Sequence, residues 1–250
     1  MLECAASTDT GLVRCRNEDA FWVDAGRGWL LLADGMGGHS SGDLASALAI
    51  SYVLDRLLKA EEGVAEGAAP DYAAELAASV VAANSAIRRA GMQSEATHSM
   101  GATFIGALLE PDRMIYLNVG DSRLYLLRDG ALAQLSRDHT LVQEFVDTGR
   151  LTAEMAQNHP YRGLLTRGLG VHDEVELDSG ICALKPGDRL LLCTDGLTDM
   201  VNEPEIADML GAPAQADEVA ARLIEAANAA GGRDNVSVIV AWFAPSPARQ

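Results

Sequence analysis

Five short clusters set acidic residues beside glycine or at strand ends, where the backbone can approach a ligand and a carboxylate is not absorbed into a core. They read Arg14-Cys15-Arg16-Asn17-Glu18-Asp19, Asp34-Gly35-Met36-Gly37-Gly38-His39, Gly120-Asp121-Ser122-Arg123, Thr194-Asp195-Gly196 and Gly232-Arg233-Asp234-Asn235. Asp34 and Asp195 each follow a strongly apolar run, Trp29 to Ala33 and Arg189 to Cys193. If these ends converge, the carboxylates of Glu18, Asp19, Asp34, Asp121, Asp195 and Asp234 share one site. Each close pair then repels by about 4 kcal/mol at ~4 Å with an effective dielectric near 20. Divalent cations resolve that conflict, and an all-oxygen donor set favours magnesium or manganese over zinc. Two such ions can hold a bridging water, lower its pKa and neutralise the oxygens of the group it attacks. That is phosphoester chemistry.

Other phosphoester chemistries fail on the same residues. A cysteine nucleophile needs arginine six positions on, but Thr10, Phe21, Asp188 and Asp199 follow Cys4, Cys15, Cys182 and Cys193 at that distance. There is no Asp-x-Asp for an aspartyl-phosphate enzyme, and no Gly-Asp-x-His or Gly-Asn-His element of the calcineurin-like metallophosphatases. The Gly35 to Gly38 loop has neither a Walker lysine nor G-x-G-x-x-G spacing, which argues against a nucleotide cradle. A lone Asp-Gly step is usually a turn; the weight lies in the five together. His98, His139, His159 and His172 read as structural, because no pair has helical metal-ligand spacing.

The elements that must position the clusters are short β-like runs: Asp19 to Asp24, Trp29 to Ala33, Met100 to Leu109, Met114 to Val119, Leu124 to Leu127, Arg189 to Cys193 and Val236 to Ala244. Asp129-Gly130 suits a two-residue hairpin and Lys185-Pro186-Gly187-Asp188 a type II turn, so neighbouring strands should be antiparallel. Two long helices are expected early. One runs over about Ser41 to Leu58, with Ala47, Ile50, Leu54 and Leu57 on one face. The other follows a linker at Gly63 to Ala69 and runs over about Pro70 to Ala90, with Ala73, Leu76, Val80 and Ile87 inward. Two more are expected near Glu203 to Leu210 and Asp217 to Ala230, the latter stopped by Gly231-Gly232. Residues 141–170 read as a flap of short helical pieces and polar, Arg-bearing connections, and 245–250 as a flexible tail. The expectation is an α+β protein, a sheet sandwich covered by helices on both outer faces, with one domain over residues 1–244.

Composition narrows the partners. The 250 residues carry 19 Lys+Arg against 36 Asp+Glu, a formal net charge of −17. That field repels nucleic acid and anionic membrane, and no basic stripe offsets it. The longest apolar stretch, Val236 to Ala244, is far short of the roughly 20 residues that span a bilayer. No C-x2-C pair occurs among the cysteines, and the N-terminal residues lack the pattern of a secretory signal, so reduced thiols and a cytoplasmic location are expected.

In their order along nearly the whole chain, about Ser7 to Val240, the clusters resemble those of the bacterial type 2C, metal-dependent serine/threonine protein phosphatases (the PPM family). The resemblance implies a four-layer α-β-β-α sandwich of two mainly antiparallel sheets flanked by helix pairs, with two Mn2+ or Mg2+ ions between the sheet ends. It implies hydrolysis of phosphoserine and phosphothreonine on proteins by a hydroxide bridging the metals. Asp34 would bridge them with the Gly35 carbonyl on one, Glu18 would hold the second, and Asp195 and Asp234 would complete the first. Asp19 would act through water, and Asp121 with Asp195 would bind a possible third, weaker ion. Arg14 would clamp the phosphate, and His39 falls near the proton donor to the leaving oxygen. Phosphorylated proteins, a Ser/Thr kinase and its substrates are the implied partners, and a monomer is expected. The alternative is a non-catalytic relative that binds phosphoproteins or a kinase, for which a degenerate set of acids would be the mark. Two departures from the family pattern stand out, Ala102 in Met100-Gly101-Ala102-Thr103 and Gly168 in Thr166-Arg167-Gly168.

Overall fold

The computed structural model describes residues 2–37, 41–65, 69–93, 100–157 and 159–244. The chain opens with strands β1 (Leu2–Asp9), β2 (Asp19–Asp24) and β3 (Trp29–Met36), followed by helices α1 (Gly42–Gly63) and α2 (Tyr72–Gly91). Strands β4 (Gly101–Ala102), β5 (Phe104–Leu109), β6 (Arg113–Val119), β7 (Arg123–Arg128) and β8 (Ala131–Gln134) come next, then short helices α3 (Leu141–Asp147) and α4 (Ala153–Gln157). The last part holds β9 (Asp178–Ala183), β10 (Arg189–Cys193), α5 (Asp195–Thr198), α6 (Glu203–Gly211), α7 (Ala216–Ala229) and β11 (Val236–Phe243).

The strands form two sheets, in the orders β1-β11-β10-β7-β8 and β2-β3-β5-β6-β9, with β4 paired to β3. All of their pairings are antiparallel. Three apolar clusters define the layers. Leu30, Leu32, Ile105, Leu124, Leu190, Leu192 and Ile239 pack between the sheets. Trp29, Leu31 and Phe104 face outward under α1 and α2, while Tyr125, Leu191 and Val238 face outward under α5 to α7. Central strands covered on both faces have no polar side to show, which is why Trp29 to Ala33 and Leu190 to Cys193 read as unbroken apolar runs. The sandwich expected from the sequence is the one observed.

The turns follow their chemistry. Asp129 and Gly130 take φ 52° and 78° at the β7–β8 hairpin. Gly187 has φ 90°, and the Asp188 amide donates to the Lys185 carbonyl at 3.0 Å. Other expectations need correction. Helix α1 runs on to Gly63, and its inward face is Ala45, Ala49, Ile50, Val53 and Leu57, with Ala47 exposed and Leu54 half-buried. On α2, Ala73 is exposed and the stripe begins at Leu76, continuing through Val80, Ala83 and Ile87. Alanine carries too little apolar area to fix a helix face by itself. The run Met100 to Leu109 is interrupted at Thr103, whose backbone and hydroxyl serve the end of β3. Segment 141–170 contains α3 and α4 and rejoins the second sheet where Leu169 pairs with Ala102. Residues 245–250 lie outside the described residues. No helix among those described is long and apolar enough to cross a membrane.

Candidate metal centre

The register of the sheets brings the acidic clusters to one end of the sandwich. On one sheet, Asp19 at the start of β2 stands directly opposite Asp34 on β3. On the other, Cys193 at the end of β10 pairs with Arg123 and with Val238, so the residues just beyond these partners share that end: Asp121, Asp195 and Asp234.

A connected set of hydrogen bonds holds these positions. The Asp34 amide donates to Thr103 Oγ1 at 3.0 Å, and the Thr103 amide returns to the Asp34 carbonyl at 2.8 Å. Thr103 Oγ1 also meets Ser122 Oγ at 2.7 Å, tying Asp34 to the turn that carries Asp121. Asp19 Oδ2 accepts from Ser237 Oγ at 2.6 Å and Thr194 Oγ1 at 3.1 Å, which joins the two sheets across the site. Asn235, buried in front of β11, fixes the loop before β2. Its Oδ1 accepts the Glu18 amide at 2.8 Å, and its Nδ2 donates to the carbonyls of Thr10 at 2.9 Å and Arg16 at 2.8 Å.

Glycine supplies room where ligands crowd. A Cβ on Gly42, the first residue of α1, would fall 2.7 Å from the Glu18 carboxylate carbon and 2.7 Å from the Gly35 carbonyl oxygen. Two of the expected donors thus converge over this helix start. The Gly42 amide also bonds the Glu18 carboxylate. Gly196 is equally constrained, since its Cβ would fall 1.9 Å from the Asn235 carbonyl.

The electrostatics show that the carboxylates feel one another. Burial, then the charges of Asp19, Asp195, Asp121 and Asp234, hold Asp34 well above the usual carboxylate range. Burial, then Asp121, Asp234, Asp199 and Asp19, do the same to Asp195. Burial pushes Asp19 up to about 6 against its two hydroxyl donors. Burial and Asp138 push Asp121 up to about 7. Glu18 is raised by burial and by Asp43. Among the described residues, no three of these side chains come close enough together to hold an ion by themselves.

The residues present fit a pair of hard cations. Asp19 Oδ1 is buried without a hydrogen-bond partner, a costly state for a carboxylate oxygen unless a cation or an ion-bound water completes it. Every candidate donor is oxygen, as magnesium and manganese prefer. Arg14 lies at the rim, half exposed, with Nη2 2.6 Å from Asp234 Oδ2. His39 lies outside the described residues.

Asn235, Thr103, Ser237 and Gly42 escaped the reading from sequence as positioning residues. Ser237 had a signal: a lone hydroxyl in the apolar run Val236 to Val240 must find a buried partner.

A family model described as protein phosphatase 2C matches residues 13–234, and the chain belongs to that family. Its fold agrees with solved members. The catalytic domain of the serine/threonine phosphatase PstP, solved with two manganese ions, superposes with a TM-score of 0.84 at 42% identity, covering 97% of this chain and 98% of that one. Serine/threonine protein phosphatase PstP of Mycobacterium tuberculosis is 46% identical over 241 residues, which is 96% of this chain but 45% of that protein, so the chain spans about half its length. Protein phosphatase PhpP of Streptococcus pneumoniae is 36% identical over 244 residues, covering 95% of this chain and 96% of PhpP.

Proposed function

We propose that this chain is a metal-dependent phosphatase that removes phosphate from phosphoserine and phosphothreonine on proteins. The observation that carries it is the meeting of Asp19, Asp34, Asp121, Asp195 and Asp234 at one end of the sandwich, raised by burial and mutual repulsion, with Asp19 Oδ1 left unpartnered. Two divalent cations, when bound, supply an activated water and neutralise the phosphoryl oxygens. In this reading Asp34 would be shared between the ions, Asp195 and Asp234 would hold one, Glu18 and the Gly35 carbonyl the other, and Asp121 with Asp195 would offer a third, weaker position.

The remaining work falls to side chains at the rim. Arg14 is exposed enough to turn from Asp234 to a phosphate, and its planar guanidinium can grip two phosphoryl oxygens at once. Losing that ion pair leaves Asp234 free to ligate. His39 is the proposed proton donor to the departing serine or threonine oxygen. Segment 141–170 is the proposed flap, fastened beside the site by Arg162 Nη2, which lies 2.6 Å from Asp199 Oδ2, one turn beyond Asp195.

The intended substrates are phosphoproteins modified by a Ser/Thr kinase, placing the chain in signal transduction. A cytoplasmic setting suits four free thiols. The alternative, a phosphoprotein-binding relative without turnover, is disfavoured because every expected acid is retained. Phosphate release from a phosphothreonine peptide, with manganese and with chelator, tests the reading. Release with manganese and none with chelator is expected. No release at any manganese concentration, from folded protein, would favour the binding relative.

A further inference from the structure

One buried titratable side chain stands beside the carboxylate cluster without belonging to it. His139, only 3% exposed, follows β8 and touches the turn that carries Asp121. Its Nδ1 accepts the Gly120 amide at 3.1 Å, and its own amide donates to the Gly120 carbonyl at 3.0 Å. Two bonds therefore clamp the residue immediately before Asp121. Gly120 has φ 107°, and a Cβ there would fall 2.6 Å from Thr103 Cγ2, so the residue that His139 grips can carry no side chain of its own, while Ser122 anchors the far side of the turn.

The histidine is itself held in one state. Nε2 faces two groups, Asp178 Oδ2 at 3.1 Å and Arg167 Nη1 at 3.3 Å; because Nδ1 accepts an N–H, the neutral ring carries its proton on Nε2, where the nearer carboxylate accepts it. Asp178 Oδ1 accepts from Arg167 Nη1 at 2.9 Å, and the His139 carbonyl accepts the Thr166 amide at 2.9 Å. Arg167 and Thr166 belong to the end of segment 141–170. Thus the same residue that grips the Gly120 peptide is gripped from the far side by that segment.

We propose that His139 is a positioning residue for Asp121: its Nδ1 fixes the Gly120–Asp121 peptide, and Asp178 fixes the tautomer that allows it. A merely space-filling histidine would need neither the acceptor nor the tautomer. The kinetic part of the inference rests on the phosphatase reading; the hydrogen bond itself does not.

The test begins on the unmodified protein. Imidazole nitrogen shifts should report a neutral His139 protonated on Nε2, and the Gly120 amide should exchange slowly with solvent. A charged ring, a proton on Nδ1 or a fast Gly120 amide overturns the proposal. His139→Asn keeps an acceptor near the Nδ1 position, whereas His139→Gln moves its amide group toward the Nε2 position and leaves the Gly120 N–H unpaired. Expected for His139→Gln are at least roughly tenfold faster Gly120 exchange and a roughly tenfold lower manganese-dependent kcat at unchanged KM; His139→Asn should stay within about twofold of the parent in both. In an Asp121→Ala background, adding His139→Gln should change kcat by less than about twofold, because its effect passes through Asp121. Equal losses in the two variants, or an undiminished loss in that background, would overturn it. A catalytically silent parent counts against the phosphatase reading and leaves the shifts and exchange rates to decide the role of His139.

Discussion

Asp19 and Ser237 meet across the sandwich, Oδ2 to Oγ at 2.6 Å, so that one carboxylate links the two sheets where the other acids gather. Its second oxygen is buried and unpaired. One half of the side chain is thus committed to structure and the other is left for a cation or its water.

Ser237→Ala should therefore destabilise the fold by about 1–3 kcal/mol, the worth of a hydrogen bond to a charged group. Thr8 Oγ1, 2.7 Å from Ser237 Oγ, loses the same partner. Denaturant unfolding reads the change as a lower midpoint at constant slope. An unchanged midpoint would show that Thr194 alone suffices to hold Asp19.

With cations chelated, stability should fall as pH rises from about 4 to about 7. Asp19, pushed up to about 6, and Asp121, pushed up to about 7, keep protons in the folded state that the unfolded chain has already released. Asp34 and Asp195 act in the same sense. Stability from a raised carboxyl is complete below its unfolded value and drains away as pH climbs through the folded one, about 1.4 kcal/mol for each pH unit between them. Glu18, also raised by burial, adds to these acids, and His139, whose proton burial disfavours, works the other way, one group against five. Urea unfolding in chelator across this range checks the sign, and manganese at pH near 7 should restore what was lost. Stability that rises over the window would contradict the crowding of these acids.

Gly35→Ala should be damaging and Gly163→Ala harmless. A Cβ on Gly35 would lie 2.0 Å from the Gly42 carbonyl and 2.6 Å from that of Glu18, both backbone atoms that cannot step aside, whereas Gly163 has nothing within 4 Å. Overpacking of this kind costs about 1–3 kcal/mol or more, and here it also parts Glu18 from the Gly35 carbonyl. Thermal melting with and without manganese should show a lower Tm and a smaller metal-induced rise for Gly35→Ala alone. Equal melting of the two variants would argue against the close approach.

Arg14→Ala should lower kcat/KM by roughly 10- to 100-fold, the equivalent of a lost charge-assisted bond to phosphate. Manganese affinity should hold or rise, because Asp234 loses its competing partner. Arg14→Lys should recover only part of the loss, since an ammonium cannot present two parallel donors. Full activity in Arg14→Ala would remove it from substrate binding.

Much of this was legible in local pattern. Strand β2 over Asp19–Asp24 and β10 over Arg189–Cys193 sit where the apolar runs and their acidic borders put them. The acids Asp34, Asp121, Asp195 and Asp234 stood out because each stands within two residues of a glycine. The edge strands β1 and β9 did not, since Leu2–Asp9 and Asp178–Ala183 mix small, polar and apolar residues without a buried face to enforce a pattern. Nor did the supports. Asn235 bonds residues more than 200 positions away and Thr103 bonds Asp34 across a sheet, contacts that leave no periodic trace in the chain. The resemblance to a known family, more than spacing, assigned the separate roles of Glu18, Asp19 and Arg14.

The most direct test titrates manganese into the parent and into Asp34→Asn, following heat of binding and phosphate release in the same samples. The parent should bind at least two ions, with release rising as they fill. Asp34→Asn, lacking the shared carboxylate, should bind fewer and release phosphate at least about a hundredfold more slowly. Undiminished release by Asp34→Asn, or release by the parent in chelator, would contradict a catalytic centre built on these acids.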